Sequence, residues 1–144
     1  THDPAEALSC GDRIALMRDG RLVQVGSPDA VWSAPVDADA MAFFSPVHRL
    51  PATVTDGSFR SSLGCWPCDA PPGQRELVVR EAALLVDPTG PIEAEIRDQV
   101  VQGADRRVDL RLADGVDLRA RVRNHGPLPE RCRWRVDHAL VRVF

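Results

Sequence analysis

The sequence predicts a mainly β chain, a small antiparallel barrel or sandwich preceded by a short α/β segment. Three observations carry this prediction. Up to about residue 45, helix-start signals flank one tight hairpin; beyond it, apolar residues recur with period two in short runs between Pro and Gly. About eight to nine such runs fall within roughly 95 residues, the spacing of a small all-β domain. With 144 residues and 44% apolar content, the chain is long enough to bury a real core as one domain or two small ones.

The elements follow in order. Asp3-Pro4-Ala5-Glu6 starts a helix: Asp3 caps, Pro4 sits where a missing N–H costs nothing, and Glu6 falls three after the cap. Gly11 ends it. Residues 13–18 read as a strand, Asp19-Gly20 as a two-residue hairpin turn, and 21–25 as the returning strand. Ser27-Pro28-Asp29 starts a second short helix through Val31 and Trp32, interrupted at Pro35. Residues 37–44 form a third, with Met41 and Phe44 on one face, where with Phe43 they pack the hinge between the two parts.

Strands are predicted at 51–55, 59–63, 76–80, 83–86, 92–101, 132–136 and 140–144. The clearest hairpin joins 108–112 to 116–122. In it Val108, Leu110 and Leu112 alternate with Asp109 and Arg111, Asp114-Gly115 turns, and Val116, Leu118, Ala120 and Val122 alternate with charged residues. Residues 68–74 and 124–130 carry Pro and Gly without periodicity and read as loops.

Composition excludes several function classes. All 18 basic residues are Arg, so neither a GxxxxGK[ST] phosphate loop nor Schiff-base chemistry can be built from this chain. Acidic residues number 21, giving a net charge of −3, the wrong balance for a general nucleic-acid grip. No run approaches the ~20 apolar residues of a spanning helix, and the first residues are not a signal peptide. Without an initiator Met, the chain reads as cut from something longer. Four Cys and no export signal point to free thiols in a reducing compartment.

One stretch carries a specific resemblance. Thr1-His2-Asp3, then Glu6-Ala7-Leu8, Asp12-Arg13-Ile14, Asp19-Gly20-Arg21 and Gly26-Ser27-Pro28 stand at tight spacing. This resembles the end of the nucleotide-binding domain of ATP-binding cassette (ABC) importer ATPases, with Thr1-His2-Asp3 matching the switch-histidine loop. The remainder resembles the accessory barrel that follows in that subfamily, the TOBE domain, an OB-like fold. Leu77-Val78-Val79-Arg80 stands where that family has a strand ending Arg-Pro-Glu; here Glu81-Ala82 follows, so the Pro is missing and the acidic residue shifted.

The resemblance implies residues 1–45 as the tail of the nucleotide-binding domain and 46–144 as a TOBE-type regulatory barrel. It implies that His2 contacts the γ-phosphate of ATP at a dimer interface and helps orient the attacking water. Arg80 and Glu81 become candidates for a substrate or regulatory site. The parent would use ATP and Mg to drive solute uptake, ferric iron or polyamine being slightly favoured. It would sit peripherally on the cytoplasmic face of a bacterial membrane, with a second copy of itself and membrane permease subunits as partners. The fragment alone is expected to be no enzyme and to hold no cofactor, because a lone His lacks the phosphate cradle and Mg²⁺-binding carboxylate that hydrolysis needs. The homodimer contact is expected from strand edges and apolar residues near Trp134 and Phe144.

Two other classes compete. A free-standing OB-fold oligonucleotide-binding module would use the stripe Arg119, Arg121 and Arg123 with Arg107 and Arg111. No aromatic interleaves with these, and Asp109 and Asp117 stand among them, so a solvated, salt-bridged face without nucleic acid is expected. A redox protein would use Cys65-Trp66-Pro67-Cys68, but Asp69-Ala70-Pro71-Pro72 cannot start the helix that activates such a thiol, and a surface loop is expected. No metal site is expected, since Cys10, Cys132, His48, His125 and His138 are scattered singly.

Overall fold

Strands dominate the computed structural model, which describes residues 1–144 and divides into two units, Thr1–Val47 and His48–Phe144. The first unit runs α1 (Pro4–Cys10), β1 (Ile14–Arg18), β2 (Arg21–Gly26), α2 (Pro28–Ser33) and α3 (Ala38–Phe44). Each helix starts on a side-chain cap. Asp3 accepts from the amides of Ala5 and Glu6, Ser27 from Ala30, and Asp37 from Ala40. Asp19 and Gly20 both take positive φ, 51° and 73°, the geometry whose twist matches an antiparallel hairpin. Ile14, Val31 and Phe44 form a small core with Ala7, Leu8 and Trp32 against it.

Arg18 ties β1 to α3. Its two terminal nitrogens donate to the two oxygens of Asp37, both at 2.9 Å, while Asp37 also caps α3. The Arg18 guanidinium holds the Asp37 carboxyl below the usual carboxylate range. Its stabilising contribution is therefore complete above that range and fades as pH falls through the lowered folded value. Asp37→Ala is expected to cost about 1–2 kcal/mol, mostly the cap, the half-exposed ion pair being screened. Melts near neutral pH and near about pH 3 check this, since the difference between variant and parent shrinks in acid.

The second unit holds two five-stranded antiparallel sheets. One is built from β3 (Val47–Thr55), β4 (Ser58–Ser61), β5 (Gly64–Pro67), β6 (Gly73–Arg80) and β12 (Val141–Val143), in the order β12-β6-β3-β4-β5. The other contains β7 (Leu84–Val86), β8 (Ile92–Gln102), β9 (Asp105–Leu112), β10 (Asp117–Arg123) and β11 (Arg131–Val136), in the order β10-β9-β8-β11-β7. Their inner faces share one core, in which Leu50, Val54, Phe59, Leu77, Val79, Val108, Leu110, Leu118 and Trp134 are buried. The fold is mainly β and consistent with a nearly closed OB-like barrel. No helix is long and apolar enough to cross a membrane.

Three details differ from the sequence reading. The segment 65–67 is not a loop but part of the edge strand β5, paired with β4 in the register Phe59↔Trp66 and Arg60↔Cys65. Pro67 is tolerated there because an edge strand has one unpaired side. Next, β3 begins at Val47, ahead of the Pro51 expected to open it. Only Thr53–Thr55 pairs with β4, so the missing N–H of Pro51 breaks no bond on that side. Finally, Trp134 is 1% exposed at the centre of the core, so it offers no surface for a dimer contact.

Side chains fasten what periodicity leaves open. Gln99 donates to the Leu128 carbonyl at 2.9 Å and accepts from the Leu128 amide at 2.8 Å, pinning the aperiodic loop 124–130. Arg106, nearly buried, donates to Gln99 and Asn124. His48 reaches from β3 to the edge strand β10, where its Nε2 lies 2.8 Å from the Arg119 amide and 2.7 Å from its carbonyl. One tautomer accepts from the first and the other donates to the second. This histidine is a structural clip between the sheets.

Candidate functional site

His2 stands on an ordered turn. The Asp3 amide donates to the Thr1 hydroxyl at 3.0 Å, and the Asp3 carboxylate caps α1 at 2.8 and 3.1 Å, so the residues on both sides of His2 are held. Thr1, and not the Glu6 that stands three after the cap, meets the Asp3 amide. His2 is exposed and lines an open hollow of about 730 Å³ with Glu6, Cys10, Arg13 and Met17. An exposed imidazole ahead of a helix N-terminus can donate to an anionic oxygen. Beside it, Met17 and Leu22 pair across the β1–β2 hairpin while 63% and 61% exposed.

Arg80 and Glu81 are neighbours in sequence with different surroundings. Arg80 ends β6 at 1% exposure. Burial, reinforced by the charge of Arg142, pushes its guanidinium down to about 10. Arg142 stands opposite Val78 in the β6–β12 pair, and Arg80, two residues on, shares that face. Glu81 instead opens the 3₁₀ turn Glu81–Ala83, half-buried, and its charge acts on Arg119. Both lie in the second unit, while His2 lies in the first.

The arginine stripe is salt-bridged. Arg119 faces Asp109 across β10 and β9 at 2.6 Å, and Arg111 faces Asp117 at 2.5 Å. Arg107 reaches both Asp98 and Asp109. Hydrogen bonds with the paired guanidinium hold Asp117 below the usual carboxylate range, and Asp109 raises Arg119. Only Arg121 lies opposite a like charge, Arg107. With no aromatic on β9 or β10, the face offers nothing for bases to stack on.

The four cysteines are free. Cys65 lines a cleft with Glu93 and Asp114, whereas Cys68 lines another with Trp66 and His138. They are placed on β5 and just beyond it, without the helix N-terminus that activates a CxxC thiol. Burial pushes the Cys132 thiol up, the direction that removes nucleophilicity. No group of three or more His, Cys, Asp or Glu residues is assembled to hold a metal ion.

No protein-family model matches the chain. Curated proteins do. It is 34% identical over 132 residues to an Fe(3+) ions import ATP-binding protein of Rhodococcus jostii, covering 88% of this chain and 38% of that protein. It is 39% identical over 90 residues to one of Streptomyces coelicolor, covering 61% and 26%. A sulfate/thiosulfate import ATP-binding protein of Caulobacter vibrioides is 34% identical over 116 residues, covering 80% and 34%. The chain thus spans between 26% and 38% of the length of these relatives. The chain is a homologue of the ATP-binding subunits of ABC importers, consistent with the C-terminal part of such a subunit.

Proposed function

We propose that this chain is the C-terminal region of the ATP-binding subunit of a bacterial ABC importer, residues 1–45 ending the nucleotide-binding domain and 46–144 forming a TOBE-type regulatory barrel. The observation that carries the reading is the Thr1-His2-Asp3 turn locked onto the cap of α1, in a chain similar over 88% of its length to an import ATP-binding protein. The parent couples ATP hydrolysis to solute uptake at the cytoplasmic face of the membrane, as a homodimer with permease subunits. It holds ATP and Mg, and His2 acts on the γ-phosphate. The 144 residues alone have no phosphate cradle and do not hydrolyse ATP. Ferric iron is the favoured solute, because relatives named for Fe(3+) import are among those the chain matches; sulfate is the second, from relatives named for it. No relative described above is named for polyamines.

The test begins with the coding sequence upstream of Thr1, where a phosphate loop, a signature motif and a Walker B strand are expected. In that full chain, His2→Ala is expected to lower kcat for ATP at least about 100-fold while ATP binding is retained, the pattern of an interaction made in the transition state. Absence of the three motifs, or full ATPase activity in the variant, rejects the proposal.

A further inference from the structure

We propose that the cleft between β5 and β12 binds a small planar anion, of the chemical class of aromatic carboxylates. The site lies wholly within the second unit and does not depend on the importer reading. Its volume is about 400 Å³, within the range of small-ligand pockets.

One wall is aromatic and already ordered. The half-buried Trp66 has Phe59 on one side, ring centroids 5.2 Å apart, and His138 in an edge contact at 4.7 Å. Rings held this way lose little freedom when a planar ligand lies against them. Arg142 lines the same cleft, and its Nη1 donates to the carbonyls of Ala139, at 3.1 Å, and Val141. Backbone therefore fixes the guanidinium, whose planar fork suits a carboxylate.

The sign of the ligand charge follows from what stands behind. Arg80 lies on the face of Arg142, 1% exposed, and the two positive charges oppose each other. An anion beside Arg142 relieves that repulsion, whereas a cation adds to it. Asp69 also lines the cleft, so the carboxylate is placed toward Arg142 and the ring toward Trp66.

The experiment compares benzoate, benzamide and inorganic phosphate on the intact chain, by calorimetry and by the Trp66 indole N–H signal, assigned with Trp66→Phe. Benzoate is expected to saturate in the millimolar range or below and to shift that signal. Benzamide has the shape without the charge, and phosphate the charge without the ring; each is expected to bind at least about tenfold more weakly. Arg142→Gln, with its melting temperature recorded, is expected to weaken benzoate by at least the same about tenfold factor. The proposal is overturned if benzoate fails to saturate by about 10 mM. It is equally overturned if either comparison compound matches benzoate, or if a folded Arg142→Gln binds as the parent does. Should that variant not fold, the three-compound comparison on the parent chain still decides.

Discussion

Trp134→Ala is expected to destabilise the barrel by about 4 kcal/mol and to lower its melting temperature by well over ~10 °C. The magnitude follows from position. Trp134 is 1% exposed, sits on β11 between β8 and β7, and stands opposite Ile92 and Val86. Its backbone is crowded as well as its ring. Gly90 packs so closely on the Trp134 carbonyl that a Cβ there would overlap it, so the surrounding chain cannot easily collapse into the space the indole leaves. A domain whose whole stability is ~5–15 kcal/mol has little left after such a loss. Denaturant melts of the variant, with Trp66→Ala as a half-exposed control, measure it. A loss below about 1.5 kcal/mol would falsify the assignment of Trp134 as the centre of the core.

Folding stability is expected to rise as pH climbs above about 10, through Arg80. Its folded value lies well below the ordinary arginine range, so the folded state releases the proton first. Below about 10 the charge is present in both states, and the folded one carries the cost of burying it; at higher pH the folded state sheds it before the unfolded one does. Above that point the cost is relieved at up to about 1.4 kcal/mol per pH unit. The composition makes the window unusually clean. With no Lys and no Tyr, the side chains that titrate in the alkaline range are cysteine thiols and arginines, and the thiols and the terminal amine ordinarily do so below about 10. Denaturant melts across that range should show the rise in the parent chain and lose it in Arg80→Met; equal slopes in both would assign the effect elsewhere.

Local chemistry was legible from residues alone. Asp3 and Ser27 announce helix starts because a short acceptor side chain meets orphan amides there, and both cap as expected; Asp37, read as the first residue of its helix, caps that helix as well. Asp19-Gly20 and Asp114-Gly115 mark hairpins, and the alternation from Val108 to Val122 puts Val108, Leu110, Leu118 and Ala120 inside while Asp109 meets Arg119 outside. The candidate site was readable only as residue types. His2 could be singled out by its neighbours Thr1 and Asp3, but that Thr1 and not Glu6 meets the Asp3 amide was not foreseeable, since either partner satisfies the same amide. The reading of Arg80 and Glu81 rested on the resemblance to a strand ending Arg-Pro-Glu, and the chain leaves the strand between them, Arg80 ending β6 and Glu81 opening the 3₁₀ turn.

What was hidden has a common cause: it depends on partners distant in sequence. Cys65-Trp66-Pro67 is short, proline-bearing and non-alternating, and becomes strand only because β4 offers it an edge. The role of His48 required Arg119, 71 positions away, and that of Gln99 required Leu128, 29 away. The cleft beside Trp66 exists because β12, the last strand of the chain, closes on β6 near the edge formed by β5.

The sequence by itself determined where this chain turns, caps its helices and alternates, and that it builds a mainly β unit behind a short α/β segment. It also settled, through the missing Lys, that no phosphate loop of the lysine-bearing kind lies within these residues. Only the tertiary structure decided that Arg80 is a buried charge, that Trp134 is core rather than contact surface, and that Trp66, His138 and Arg142 share one cleft. The physical reason is range. Turns and caps are satisfied within four residues, whereas burial, charge proximity and concavity are sums over neighbours that only the folded chain brings together.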